Sequence, residues 1–256
     1  MQLTTRRKWV GPREILQALR ALRAVATDAN RTDAIGEFIG SLTGPSATRL
    51  YHEVCNDPVG RRLLQDRQDL KTTLDNREYL ASLPAGSLGR SYYEWTASRD
   101  FNAQGLADAI SGQVSRDLAD PHSVMSARIV DMHDLWHVLN GWDEDIHGEL
   151  HLLGYSYAQL GARAWLILGK LTVLILRSSG HREGKAYLRN AIRLGRQAPL
   201  LAAVEWETLL PLQLTEVRQR LGVPEPEPYA RLAFAEVERI RDQSTILRAL
   251  RRMLPA

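Results

Sequence analysis

From Gly11-Pro12 onward the apolar residues of this chain return every three or four positions, and any fold it adopts must bury faces of that period. Ile15, Leu16, Leu19, Leu22 and Val25 fall on one side of a helix, so they share a face turned to a core. The same spacing predicts helices over residues 33–42, 46–54, from Pro58 into Leu64, and from Ser87 through Tyr92, Tyr93 and Trp95. Asp120-Pro121 opens another by placing proline in a first turn, and Gly141 closes it. Further helices are predicted over 149–160, 162–176, 185–196, 206–221 with a kink at Pro211, and 229–254. No stretch alternates as a strand does and no segment repeats. The chain therefore reads as all-α, a single multi-helix domain over residues 1–256, with 1–11 as a flexible arm and the Pro-rich run 224–228 as a stiff connector.

Composition narrows the setting. A hydrophobic content of 44% in 256 residues suffices for a sizeable core. The net charge of +3 and a pI near 9.1 point to an anionic partner such as a lipid head group or phosphate. The basic stripe of Lys185, Arg189, Arg193 and Arg196 lacks interleaved aromatic residues, so nucleic-acid binding is not expected. One cysteine, Cys55, cannot form an internal disulfide and suits a reducing cytoplasm. The first residues carry positive charge without a following apolar stretch, which argues against a secretory signal. The most apolar run, 164–176, contains Lys170 and falls short of the roughly twenty residues that span a bilayer. It is expected to be buried or to border an apolar cavity.

Chemistry concentrates in His133-Asp134-Leu135-Trp136-His137, followed after eleven residues by Glu149. On a helix His133 and His137 stack one turn apart, and Asp134 lies three residues before His137 on the same side. Polar groups on so apolar a segment would carry a desolvation penalty of several kcal/mol, about what a bound cation relieves. Two imidazoles and carboxylates suit Zn²⁺ or another divalent first-row ion, so His133, Asp134, His137 and Glu149 are the candidate ligands. Asp134 is either a direct ligand or a residue that orients an imidazole. Arg128, a little over one turn before His133, is placed to clamp a carboxylate, or to form a salt bridge to Asp131 or to another helix. His147 and His151 are expected at the surface or just behind the ligands.

The chain resembles the ubiquinone (coenzyme Q) biosynthesis family of the fourth Coq protein, whose metal motif is HDxxH, eleven residues, then E. Asp57-Pro58-Val59-Gly60-Arg61 is similar to the family's DPxG segment and 83–92 to its LPxGTLGxxY segment. Trp206-Glu207 through Leu221-Gly222-Val223-Pro224 is similar to its C-terminal element. Arg128 stands at the first of two arginines usual in the family, Val130 at the second, and Asp131 where glutamate is usual.

The resemblance implies an all-helical fold, a zinc-type ion, a polyprenylated aromatic lipid as substrate, and peripheral association with a membrane surface, here the inner face of the cell membrane. It also implies contact with other ubiquinone-biosynthesis enzymes; a homodimer is compatible with it. The expected activity is a metal-dependent decarboxylase, oxidative or not, acting on a polyprenylated 4-hydroxybenzoate at its first carbon. His133, Asp134, His137, Glu149 and Arg128 are the residues expected to carry it. The alternative is a non-catalytic prenyl-lipid-binding scaffold. Metal-assisted hydrolysis ranks last, because the zinc-protease pentad needs a glutamate where Asp134 stands. No dinucleotide loop is present, so any oxidant must be dioxygen or a partner.

Overall fold

The computed structural model describes residues 10–28, 31–98 and 116–255. Most of the expected arm, residues 1–9, lies outside them, as does the stretch 101–114. Among the described residues the regular structure is helical, apart from one isolated bridge between Ser87 and Gln213. The all-α expectation holds. The chain folds as two compact units, each assembled from separate segments.

One unit comprises Met1–His52, Asp145–Gly195 and Ala230–Ala256. It contains α1 (Pro12–Thr27), the start of α2 (Thr32–Asn56), then α8 (Ile146–Leu160), α9 (Arg163–Ser178) and α10 (Gly184–Gln197), and finally α13 (Phe234–Gln243) and α14 (Thr245–Met253). Ala18, Ala21 and Leu22 of α1 close on Phe38 of α2 and Leu168 of α9. Leu150, Leu176, Leu188 and Ile240 form a second cluster from α8, α9, α10 and α13. Gly195 permits the close approach of α10 to α8, since a Cβ there would stand 2.8 Å from the Ala158 side chain and 3.0 Å from the Tyr155 carbonyl.

Two expectations for this unit are corrected. The breaks placed around 43–45 and within 33–54 are absent, because α2 runs through Pro45. Pro45 removes the amide that the Ser41 carbonyl would accept, and the helix continues with hydroxyl back-bonds on either side of it, Thr43 Oγ1 to the Ile39 carbonyl at 2.6 Å and Ser46 Oγ to the Thr43 carbonyl at 2.7 Å. Conversely, the long helix expected over 229–254 is two, divided at Ser244, whose hydroxyl accepts the Leu247 amide and starts α14.

The other unit comprises Glu53–Glu144 and Arg196–Tyr229. Its helices are α3 (Pro58–Asp66), α4 (Leu70–Asp75), α5 (Arg77–Ser82), α6 (Leu88–Ala97), α7 (Pro121–Asn140), α11 (Trp206–Leu209) and α12 (Leu214–Arg220), with a 3₁₀ turn at Leu201–Ala203. Helix α7 is central to it, burying Val124, Met132, Leu135, Trp136 and Leu139 against α3, α4, α6 and α12. Each such side chain contributes about 1.5–3 kcal/mol. Leu88 and Gly89 donate backbone bonds to Leu212 and Leu210 at 2.9 and 2.8 Å, and Leu214 donates to Gly86 at 2.9 Å, which fixes where α6 begins. Pro211 ends α11 and leaves a turn before α12, a stronger interruption than the expected kink.

Candidate metal centre

Helix α7 is defined at both ends. Asp120 accepts the His122 and Ser123 amides at 3.2 and 3.3 Å, and its pKa lies below the ordinary value: burial pushes it up, but the Ser123 hydroxyl and these amides outweigh burial. Gly141 closes the helix in the left-handed region at φ 67°. A side chain there would be strained, and its Cβ would meet Pro226 at 2.7 Å.

The helix presents His133 and His137 to one another, ring centroids 5.1 Å apart. His137 is fully buried and stacks on Trp95 of α6 at 5.1 Å. Its Nδ1 lies 3.2 Å from the Trp142 carbonyl. A carbonyl only accepts, so Nδ1 carries the proton and the lone pair is on Nε2. His133 Nδ1 lies 3.1 Å from Asp134 Oδ1, which fixes its ring in the same sense. Glu149 occupies the first turn of α8, opened by Asp145, which accepts the His147 amide at 3.0 Å. Helix α8 thus starts three residues earlier than expected. The ligand atoms offered by His133, His137 and Glu149 lie within 4.8 Å of one another. Asp134 is not a member of that group; its carboxylate faces His133.

This donor set suits the ion the sequence implies. Two imidazoles and one carboxylate are a common protein complement of a catalytic zinc, and ligand bonds of about 2.0–2.2 Å need donors roughly 3.4 Å apart. That spacing lies inside the 4.8 Å limit.

Arg128 takes the second of its expected roles, an ion pair with another helix. It is 2% exposed, and its two terminal nitrogens meet both oxygens of Glu207 at 2.6 and 3.0 Å, with the Gln68 carbonyl at 3.2 Å. The fork expected to grip a substrate carboxylate is already filled by one from the protein. Nor does it pair with Asp131, which is held by Arg116 at 2.6 Å. His147 and His151 are buried, not at the surface. His147 Nδ1 donates to the Ala230 carbonyl at 2.6 Å and His151 Nδ1 to the His147 carbonyl at 2.7 Å, and burial lowers the His151 pKa to about 4. Tyr92 is buried in packing, and Tyr93 lies under the Arg77 guanidinium, 4.2 Å from its ring centre.

Sequence reasoning missed Trp95, Trp142 and Glu207 as neighbours of these groups. Trp206-Glu207 stood within a segment that resembled the family, which was the one available signal for Glu207.

The model of the coenzyme Q (ubiquinone) biosynthesis protein Coq4 family matches residues 9–227. The chain belongs to the Coq4 family. It is 28% identical over 212 residues to the mitochondrial ubiquinone biosynthesis protein COQ4 of Arthroderma otae, covering 76% of this chain and 78% of that one. It is 24% identical over 216 residues to the COQ4 protein of Scheffersomyces stipitis, covering 84% of this chain and 65% of that one. A crystal structure from Nostoc punctiforme, of a candidate ubiquinone biosynthesis protein, shares the fold with a TM-score of 0.66 at 23% identity, covering 85% of this chain and all of that one. This Coq4 chain is thus a ubiquinone biosynthesis protein by family.

Proposed function

We propose that this Coq4 protein removes the carboxyl group from the first carbon of a polyprenylated 4-hydroxybenzoate-type ring, using a zinc-type ion held by His133, His137 and Glu149. The observation that carries the reading is the clustering of these three donors, two from one helix face and one from the next helix. When bound, the ion would supply a Lewis acid that draws electron density from the ring as the C1–carboxyl bond breaks, carbon dioxide leaving and a proton from water taking its place at C1. The protein's part is to hold and orient. Asp134 fixes the His133 ring, the Trp142 carbonyl fixes His137, and Trp95 covers the His137 face. Asp134 therefore serves as an orienting residue. Arg128, engaged by Glu207, steadies α7 instead of gripping substrate. Oxidative replacement of the carboxyl group would draw on dioxygen or a partner enzyme of the pathway.

The reading includes peripheral attachment to the inner face of the cell membrane. Among the described residues no helix is long and apolar enough to cross a membrane. Helix α9, expected to be buried or to border an apolar cavity, exposes Arg163, Ile167, Lys170, Leu174 and Arg177 on one face, with Ile167 and Leu174 43% and 52% exposed. Alternating cationic and apolar side chains on an exposed face suit an anionic bilayer surface. The test of the activity is turnover of a short-chain prenylated hydroxybenzoate by zinc-loaded protein, followed by release of labelled carbon dioxide. His137→Ala is expected to abolish release while leaving the helical circular dichroism intact, and unchanged turnover in that variant would refute the reading.

A further inference from the structure

The peptide unit between Trp142 and Asp143 is held from both sides. Its carbonyl accepts His137 Nδ1 at 3.2 Å, and its N–H donates to the Tyr229 hydroxyl at 2.7 Å. The peptide is trans, so these two groups point in opposite directions, and a hydroxyl that fixes the N–H also fixes where the carbonyl points. We propose that Tyr229 is a positioning residue for His137, acting through this peptide to set the imidazole tautomer that leaves the Nε2 lone pair for a ligand.

The chain around the peptide is rigid enough to transmit that constraint. Arg218, buried, donates from Nε to the Leu139 carbonyl at 2.8 Å and pairs with Glu225 at 2.9 Å, tying the last turn of α7 to residues 223–229. Trp142 N–H donates to the His137 carbonyl at 3.1 Å, and Pro226 lies against Gly141. The Pro-rich run read from sequence as a connector is thus also a strap over the turn that carries Trp142. Tyr229 lies just beyond the segment that the family model matches, which ends at residue 227. Polarised hydrogen bonds in series strengthen one another, so the loss of the terminal acceptor is felt at the imidazole.

The inference rests on the metal reading for its purpose but not for its test. Nitrogen-15 spectra of the metal-free full chain report the His137 tautomer directly, and cobalt(II) titration against a competing chelator reports affinity. Tyr187→Phe is the matched control: its hydroxyl accepts the neighbouring Ala230 amide at 3.2 Å. Thermal unfolding of each variant verifies that the fold persists. In the wild type His137 is expected as the Nδ1–H form. In Tyr229→Phe a mixture of tautomers and a cobalt affinity lower by about tenfold or more are expected, the range for residues that orient a metal-bound histidine, while Tyr187→Phe matches wild type. An unaltered tautomer in folded Tyr229→Phe overturns the inference. If the tautomer shifts but wild type takes up no cobalt, Tyr229 positions His137 as inferred and the metal reading fails.

Discussion

Arg128 and Glu207 form a two-pronged ion pair, nitrogen to oxygen 2.6 and 3.0 Å, with the arginine 2% exposed. It fastens the middle of α7 to the start of α11, so the helix that carries both histidines is fixed across 79 residues of sequence. Taking away one partner strands a buried charge, which costs about 3–5 kcal/mol, whereas replacing both with apolar residues of similar volume is close to neutral. Urea denaturation of Glu207→Ala is therefore expected to show a loss of that order, largely recovered in Arg128→Met/Glu207→Leu. Equal losses in the single and double variants would show that the pair does not hold the helix.

The cap of α7 gives a pH dependence. Asp120 has a folded pKa below its unfolded value, so its contribution is present above the unfolded pKa and is lost as pH falls through the folded one. Replacing Asp120 with Ala is expected to cost about 1 kcal/mol at neutral pH. The gap between the two proteins should narrow as pH falls from about 4, the ordinary carboxylate value, down through the lower folded pKa of Asp120. A gap that is constant from pH 7 to pH 3 contradicts this.

For Gly141→Ala, a left-handed residue acquires a side chain and Pro226 must move. The expected loss is at least about 1–2 kcal/mol, from backbone strain alone. Stability unaffected in this variant would mean that the turn behind His137 relaxes freely.

Much of the helical pattern is legible in the sequence because its causes are local. Asp57-Pro58 and Asp120-Pro121 cap the helices they open, and Gly141 ends α7 where a residue free of Cβ strain is required. The joined α2 is not legible, since nothing in a Gly-Pro pair announces that a helix will continue through it. The spacing of His133 and His137 follows from helix geometry alone. What surrounds them does not: Trp95, Tyr229 and Glu207 arrive by tertiary packing, which leaves no period to read. The distance of Arg128 from His133 along α7 likewise says nothing about Glu207.

The exposed face of α9 gives the membrane expectation a surface. Reversing Lys170 and Arg177 to glutamate removes two cations worth about 1 kcal/mol each near an anionic bilayer and adds two anions, so partitioning onto phosphatidylserine vesicles should fall by at least about thirtyfold. Neutral phosphatidylcholine vesicles serve as the comparison. Equal sedimentation of both proteins with anionic vesicles would remove α9 as the contact.

The most direct measurement is zinc content after loading the full chain and exchanging it into buffer with a weak chelator. One ion per chain in the wild type, and essentially none in folded His137→Ala or Glu149→Ala, is expected from a centre built on His133, His137 and Glu149. Zinc retained equally by wild type and both variants, or by none of them, contradicts that centre.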